Sequence, residues 1–223
     1  MISSAPRLTP KGVAMRAKIV EAAAELVLAR GVGATSLDDI RAGTGTSKSQ
    51  LFHYFPGGKA ELVSAIANFQ SERVLNAQRP YLDALDTWKS WESWGKAVVA
   101  HYRSQPHWGC PIGAMVSELA GSNPELALLP RRHMERWRRY LRDGVGRMRA
   151  SGLLRADASP EKLSFSVLAA LQGGLLLAQA TESIAPLRVA LDGALAMMRS
   201  QAAPNIISAR KHFLSVAGSR RLR

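Results

Sequence analysis

The chain has 223 residues, with 30 Lys and Arg against 17 Asp and Glu, and a formal net charge of +13. An excess of that size suits a polyanionic partner. The single cysteine excludes an intrachain disulfide framework and fits a reducing compartment. No apolar run reaches the ~18–20 residues that span a bilayer. The longest, from Val167 to Ala180, is interrupted by Gln172. No secretory signal is read at the N-terminus, so the expectation is a cytoplasmic protein without a membrane partner, built as one small and one medium domain.

Residues 1–15 read as a flexible, weakly basic arm. A first helix is predicted from Arg16 to Arg30, with Ile19, Ala23, Leu26 and Val27 on one face and Gly31 ending it. Ser36, followed by Leu37, Asp39 and Ile40, is an N-cap opening a second, short helix. Gly43 and Gly45 break it. Ser47 restarts the chain, and Gln50 three residues on completes a capping box for a helix of about Lys48 to Tyr54. Leu51 and Phe55, four apart, share its inner face. Lys48, Ser49, Gln50 and His53 point outward, with Phe52 and Tyr54 at the margins.

The helical rhythm continues. Ala60 to about Asn76 carries Leu62, Val63, Ile66 and Phe69 at helical spacing, and Pro80 interrupts or kinks the chain beyond it. Trp88 to Arg103 is the next helix, broken by Pro106 and Gly109, and Pro111 to Ala120 is a short one. Asn123-Pro124 is an N-cap with proline at the first helical position, opening a long helix toward Ala150 that Gly152 stops. Ser159-Pro160 repeats that signal for Leu163 to about Thr181, and Pro186 precedes a last helix, Leu187 to about Ser200. No alternating strand pattern appears, so the fold class is all-α. Most of the surplus charge lies outside the first sixty residues: residues 131–149 hold eight arginines against two acids, and residues 203–223 hold five basic residues and no acid.

Residues 35–59 carry the chemistry. Gln makes bidentate bonds to adenine, Ser and Lys bond base edges or phosphates, and a capped helix N-terminus offers free N–H groups to a phosphate. Two short helices around a glycine turn, the second polar outward, are the arrangement that seats a recognition helix in the major groove. The pattern by itself also describes an ordinary helical hairpin with a solvated face.

The stretch resembles the DNA-binding domain of the TetR family of transcription regulators. The resemblance runs from the first helix through Thr35, Ser36, Leu37 and Ile40, the turn Gly45-Thr46-Ser47, the segment Leu51-Phe52-His53-Tyr54-Phe55, and Lys59, covering about residues 16–66. Thr46 stands where the family usually has valine, Phe52 where tyrosine is usual, and Pro56-Gly57-Gly58 makes the following turn about one residue longer. The resemblance implies an N-terminal three-helix helix-turn-helix domain over 16–62. It also implies a larger helical effector-binding and dimerisation domain over 63–201, with a basic tail over 202–223. It implies DNA contact by Ser47, Lys48, Ser49, Gln50, Phe52 and His53, phosphate contact by Tyr54 and Lys59, and backbone contact by Thr35 and Ser36.

The implied partners are a pseudo-palindromic double-stranded operator, an unknown small-molecule effector, and a second copy of the chain. The last two long helices are unusually apolar, and a helix apolar nearly all round must be covered on more than one side. Leu168, Leu171, Leu175, Leu191, Leu195 and Met198 are therefore assigned to the homodimer interface. Trp91, Trp94, Tyr102, Trp108, Cys110, Met115, Trp137, Tyr140 and Phe165 are assigned to an effector pocket, although aromatics at helical spacing also serve as plain core. Gly109-Cys110-Pro111-Ile112-Gly113 looks like a stretch of a drug-responsive LmrA/YxaF-like subgroup.

Alternatives rest on single features. Cys110 precedes a helix start, where the dipole lowers a thiol pKa, so a redox-responsive regulator is one reading. A non-specific nucleic-acid-binding helical protein, driven by its arginines, is another. Catalysis has no motif behind it: the five histidines show no metal-ligand spacing, and there is no P-loop, GxGxxG or GxSxG. No enzyme activity, cofactor or metal is expected.

Overall fold

The structure is a computed structural model; it describes residues 8–105 and 108–204. Among the described residues there are nine α-helices, one 3₁₀ turn and no strand. They are α1 (Pro10–Arg30), α2 (Leu37–Thr44), α3 (Lys48–Tyr54), α4 (Gly58–Asn76), α5 (Trp88–Arg103), α6 (Pro111–Ser122), α7 (Pro124–Ala150), α8 (Pro160–Ala180) and α9 (Ala185–Arg199). The all-α expectation holds, with boundaries within a few residues except at the start. Helix α1 begins at Pro10, six residues before the predicted Arg16. Thr9 is its N-cap, its hydroxyl accepting from Gly12 N–H at 3.2 Å, and proline occupies the first position. Residues 10–15 are thus helix, not arm.

The chain divides into two compact units, one of residues 1–74 with 111–134 and one of residues 75–110 with 135–223. The expected boundary at 62/63 falls inside α4, which runs uninterrupted to Asn76. The first unit includes α6 and the opening turns of α7, a long-range association that periodicity cannot reveal.

The first unit has one continuous core. Ile19, Ala23, Ala24 and Val27 of α1 meet Ile40, Leu51, Leu62 and Ile66 from the next three helices and Phe55, the C-cap of α3, and Met115, Leu119 and Ala127 complete it. Each fully buried Leu, Ile or Phe contributes about 1.5–3 kcal/mol.

In the second unit Trp91 and Trp94 pack edge to face with ring centroids 5.6 Å apart. Buried Gln78 holds two indoles at once: its Oε1 accepts from Trp94 Nε1 at 2.9 Å and from Trp137 Nε1 at 3.1 Å. Helix α8 is long and apolar enough to cross a bilayer by length and composition. Its Val167, Leu171, Leu175 and Ala178 are nevertheless buried within this chain, and it packs along α9. Of the two adjacent glycines, Gly174 permits the close approach: a Cβ there would stand 2.9 Å from Leu187 Cα and 3.0 Å from Ala190 Cβ, whereas one at Gly173 would meet nothing within 4 Å. After α9 the chain is pinned back through Arg155 N–H to Gln201 O (2.9 Å) and Ala203 N–H to Leu153 O (3.2 Å). Residues 202–204 therefore do not behave as tail, and residues 205–223 of the expected tail lie outside the described residues.

Candidate DNA interface

Helices α2 and α3 are each locked by a reciprocal cap. Ser36 Oγ accepts from Asp39 N–H at 3.0 Å while the Asp39 carboxylate accepts from Ser36 N–H at 2.8 Å. The Ser36 hydroxyl, then its backbone N–H, holds the Asp39 carboxyl below its ordinary value. Gly45 ends α2 in the left-handed region (φ 65°, ψ 21°), a conformation glycine adopts without strain. Ser47 and Gln50 repeat the box for α3: Gln50 N–H donates to Ser47 Oγ at 3.2 Å and Ser47 N–H to Gln50 Oε1 at 3.0 Å. The hydroxyl of Thr46, where an apolar side chain is usual, is satisfied by Thr44 Oγ1 at 2.7 Å.

Leu51 and Phe55 are buried, as the spacing predicts. Lys48, Ser49, Gln50, Phe52 and His53 are exposed on the opposite side of α3, and Tyr54 and Lys59 are half-buried. The residues differ in what they have left to offer. Gln50 Oε1 already accepts from Ser47 N–H, which leaves it one lone pair and the amide N–H₂ for DNA. Ser47 Oγ likewise serves the cap and contacts Ser49 Oγ at 3.1 Å. Lys48 and His53 carry no such commitment to the caps. Ser36 is exposed but spent on its own box.

Thr35 does not join the interface. It is fully buried, and its hydroxyl donates to Gly31 O at 2.7 Å, closing the α1–α2 loop on itself. The resemblance implied a DNA-backbone contact for Thr35, and sequence does not show which way the loop folds.

The first turns of α1 flank α3. Thr9, Lys11 and Lys18 share a surface cleft of about 510 Å³ with Gln50, His53 and Tyr54. Sequence reasoning missed Thr9 and Lys11 by treating the segment as an arm, and gave Lys18, inside the predicted first helix, no role. The Thr9-Pro10 pair was the available signal, the same cap-plus-proline used at Asn123-Pro124 and Ser159-Pro160.

The residues expected to line an effector pocket differ in what they can offer a ligand. Trp91, Trp94 and Trp137 are fully packed, two of them tied to Gln78. Met115 is buried in the core of the first unit. Phe165 is exposed with the Arg138 guanidinium 4.3 Å above its ring, Trp108 is half-buried, and Tyr140 accepts from Arg79 at 3.1 Å. Cys110 is buried, its sulfur accepting from Gln172 Nε2 at 3.5 Å, and burial pushes the Tyr102 hydroxyl well up, with Cys110 beside it. Buried thiols of this kind are poorly reactive.

In their place, a groove of about 780 Å³ runs between α5 and α9, lined by Val99, Leu191 and Leu195 with the basic Lys96, Arg103, Arg188 and Arg199 and the acidic Glu92 and Asp192 around it.

Five of the six residues assigned to a dimer face, Leu168, Leu171, Leu175, Leu191 and Met198, are buried inside their own chain. A side chain already covered by its own chain has no surface left for a partner. The apolar residues exposed on the same helices are Phe165, Leu176, Leu177 and Val189. The arginine-rich stretch is also partly neutralised: Arg138 is paired with Glu135 (2.6 Å) and Glu161, and Arg142 with Asp143 (3.0 Å).

A doubly capped helix–turn–helix, with an unburied polar second helix flanked by lysines, defines a helix-turn-helix DNA-binding protein. Comparison with known proteins gives the particular kind. The profile described as bacterial regulatory proteins, tetR family, matches residues 19–66, and that described as tetracyclin repressor-like, C-terminal domain, matches residues 91–194. An HTH-type transcriptional regulator of Mycobacterium tuberculosis is 26% identical over 190 residues, covering 77% of this chain and 88% of its own. A TetR-family regulator from Cytophaga hutchinsonii superposes with a TM-score of 0.77 at 19% identity, covering 88% of this chain and 98% of its own. One from Chloroflexus aurantiacus does so with a TM-score of 0.76 at 25% identity, covering 87% and 98%. The LmrA and YxaF regulators of Bacillus subtilis are distant relatives at 24% and 23% identity, each matching 77% of this chain. The chain belongs to the TetR family and is a DNA-binding transcriptional regulator.

Proposed function

We propose that this regulator is a cytoplasmic repressor that binds a pseudo-palindromic operator as a homodimer and is released by a small hydrophobic or amphipathic effector. The observation that carries the reading is the exposed row Lys48, Ser49, Phe52 and His53 on a helix locked by its own capping box. Two such heads related by a two-fold axis read two half-sites about one helical turn apart. Phe165, Leu176, Leu177 and Val189 are the apolar surface that a second copy would cover. Base contact is assigned to Lys48, Ser49, Phe52 and His53, with Gln50 contributing its amide nitrogen. Phosphate contact is assigned to Tyr54, Lys59, Lys11 and Lys18.

The effector is assigned to the groove between α5 and α9, whose volume of about 780 Å³ lies in the range that holds drug-sized ligands. Its apolar lining, with four basic side chains against the carboxylates of Glu92 and Asp192, suits an amphipathic molecule carrying an acidic group. Release requires that this molecule bind the DNA-incompetent arrangement more tightly than the competent one.

The test is a salt-titrated gel shift with the DNA flanking the chain's own gene, against scrambled competitor. A discrete complex that survives competitor supports the reading. Equal loss on both DNAs as salt rises leaves only electrostatic affinity at that site.

A further inference from the structure

Glu118 lies on α6, in the segment matched by the family's C-terminal domain, yet its carboxylate is held by the loop between α1 and α2 in the N-terminal domain. Oε2 accepts from Val32 N–H at 2.8 Å and Oε1 accepts from Gly33 N–H. Two consecutive backbone amides aimed at one anion form a nest, a fixed concentration of positive partial charge. The loop is shaped for this. Gly31 takes φ +85°, and a Cβ at Gly31 or Gly33 would stand 3.0 or 3.1 Å from a carboxylate oxygen. From the nest the bonding runs on without a gap: Thr35 closes onto Gly31 O, and Ser36, the next residue, caps α2.

Behind the carboxylate the packing of α6 on α1 and α4 is incomplete. A cavity of about 130 Å³ is lined by Val27, Leu28, Ile66, Gln70, Met115 and Glu118, all within the first unit. Gln70 is buried and its Nε2 has no acceptor. A close-packed interface resists displacement through its many contacts, and a void removes some of them. The Glu118 carboxylate is thus the polar hold of α6 on this loop, beside the apolar core that Val32 shares with Met115 and Leu119.

We propose that Glu118 is the positioning residue through which α6 sets the DNA-binding head. With its carboxylate seated on Val32 and Gly33, the loop fixes the start of α2 and so presents α3 in the arrangement that binds DNA.

The test uses the full chain and a duplex that the wild-type chain selects from a random pool; a wild-type chain that selects no duplex would indict the DNA-binding assignment rather than Glu118. Glu118→Ala is expected to bind that duplex about tenfold more weakly. Glu118→Gln should fall between, because its amide keeps one acceptor and turns a donor toward the other N–H. The slope of log K against log salt should stay at the wild-type value, since no phosphate contact is lost. Hydrogen exchange at the Val32 and Gly33 amides should speed up while the amides of Ile19, Ala23 and Leu62 keep their protection, a local loosening that a general loss of stability would not produce. Wild-type affinity in both variants, or unchanged exchange at Val32 and Gly33, overturns the proposal. If Glu118→Ala does not fold, Glu118→Gln decides it by the same two readouts.

Discussion

Gln50→Glu separates the two jobs of one residue. Gln50 Oε1 accepts from Ser47 N–H at 3.0 Å, and Gln50 N–H donates to Ser47 Oγ. A glutamate keeps that geometry and makes the accepting oxygen anionic, at the N-terminus of a helix whose dipole favours negative charge. The gain is about 0.3–1 kcal/mol for an exposed site, or a rise of roughly 1–4 °C in melting temperature for a chain of this size. The same carboxylate stands on the face carrying Lys48, Ser49 and His53 and loses the amide N–H₂. At about 7 Å from a phosphate and an effective dielectric between that of a protein surface and water, the repulsion is about 1 kcal/mol. With the lost donor, operator affinity should fall at least tenfold. Thermal melting followed by circular dichroism and a gel shift at fixed moderate salt give the two numbers. Stability unchanged or higher with affinity sharply lower is the expected result. Wild-type affinity would refute the placement of this face of α3 against DNA, and a marked loss of stability would refute the cap.

Lys11→Ala and Lys18→Ala should each weaken binding to all sequences alike and reduce the salt slope by about one, as read by fluorescence anisotropy over a range of salt. The adjacent glycines of α8 should respond with opposite sign in urea denaturation. Gly173→Ala gains about 0.5–1 kcal/mol of helix propensity, whereas Gly174→Ala sets that gain against about 1–3 kcal/mol of overpacking onto the α9 backbone. Glu161→Ala removes one of the two carboxylates on Arg138, whose side chain is only 9% exposed. Glu161 is itself 55% exposed, so the cost expected from chemical denaturation is about 1–2 kcal/mol, well short of a fully buried pair. In acid, Asp39 and Glu135 are both held below their ordinary values, by Ser36 and by Arg138 respectively. A depressed carboxylate contributes stability above its unfolded value, so unfolding followed by circular dichroism should show both contributions lost as pH falls below about 4.

Local signals were legible because they are local physics. Ser36 with Asp39, Ser47 with Gln50, and the proline-led starts of α7 and α8 depend only on residues three or four apart, and each formed at the predicted position. Leu51 and Phe55 fell inside because 3.6-residue periodicity decides which side chains share a face. The sequence by itself therefore determined an all-helical chain, a capped helix-turn-helix and its outward row of side chains. Everything beyond that depended on which surfaces meet. The apolar residues of α8 and α9 read in the sequence as a dimer face; in the structure Leu168, Leu171, Leu175, Leu191 and Met198 are buried within the chain, α8 and α9 approach closely at Gly174, and Leu176, Leu177 and Val189 stay outside. Trp94 and Trp137 became core with one distant amide, Gln78, answering both indoles, and Trp91 joined them by packing edge to face on Trp94. Only the tertiary structure brought Glu118 to Val32 and Gly33, a pairing across more than eighty residues of sequence, because hydrogen bonds and burial act between neighbours in space and carry no record of separation along the chain.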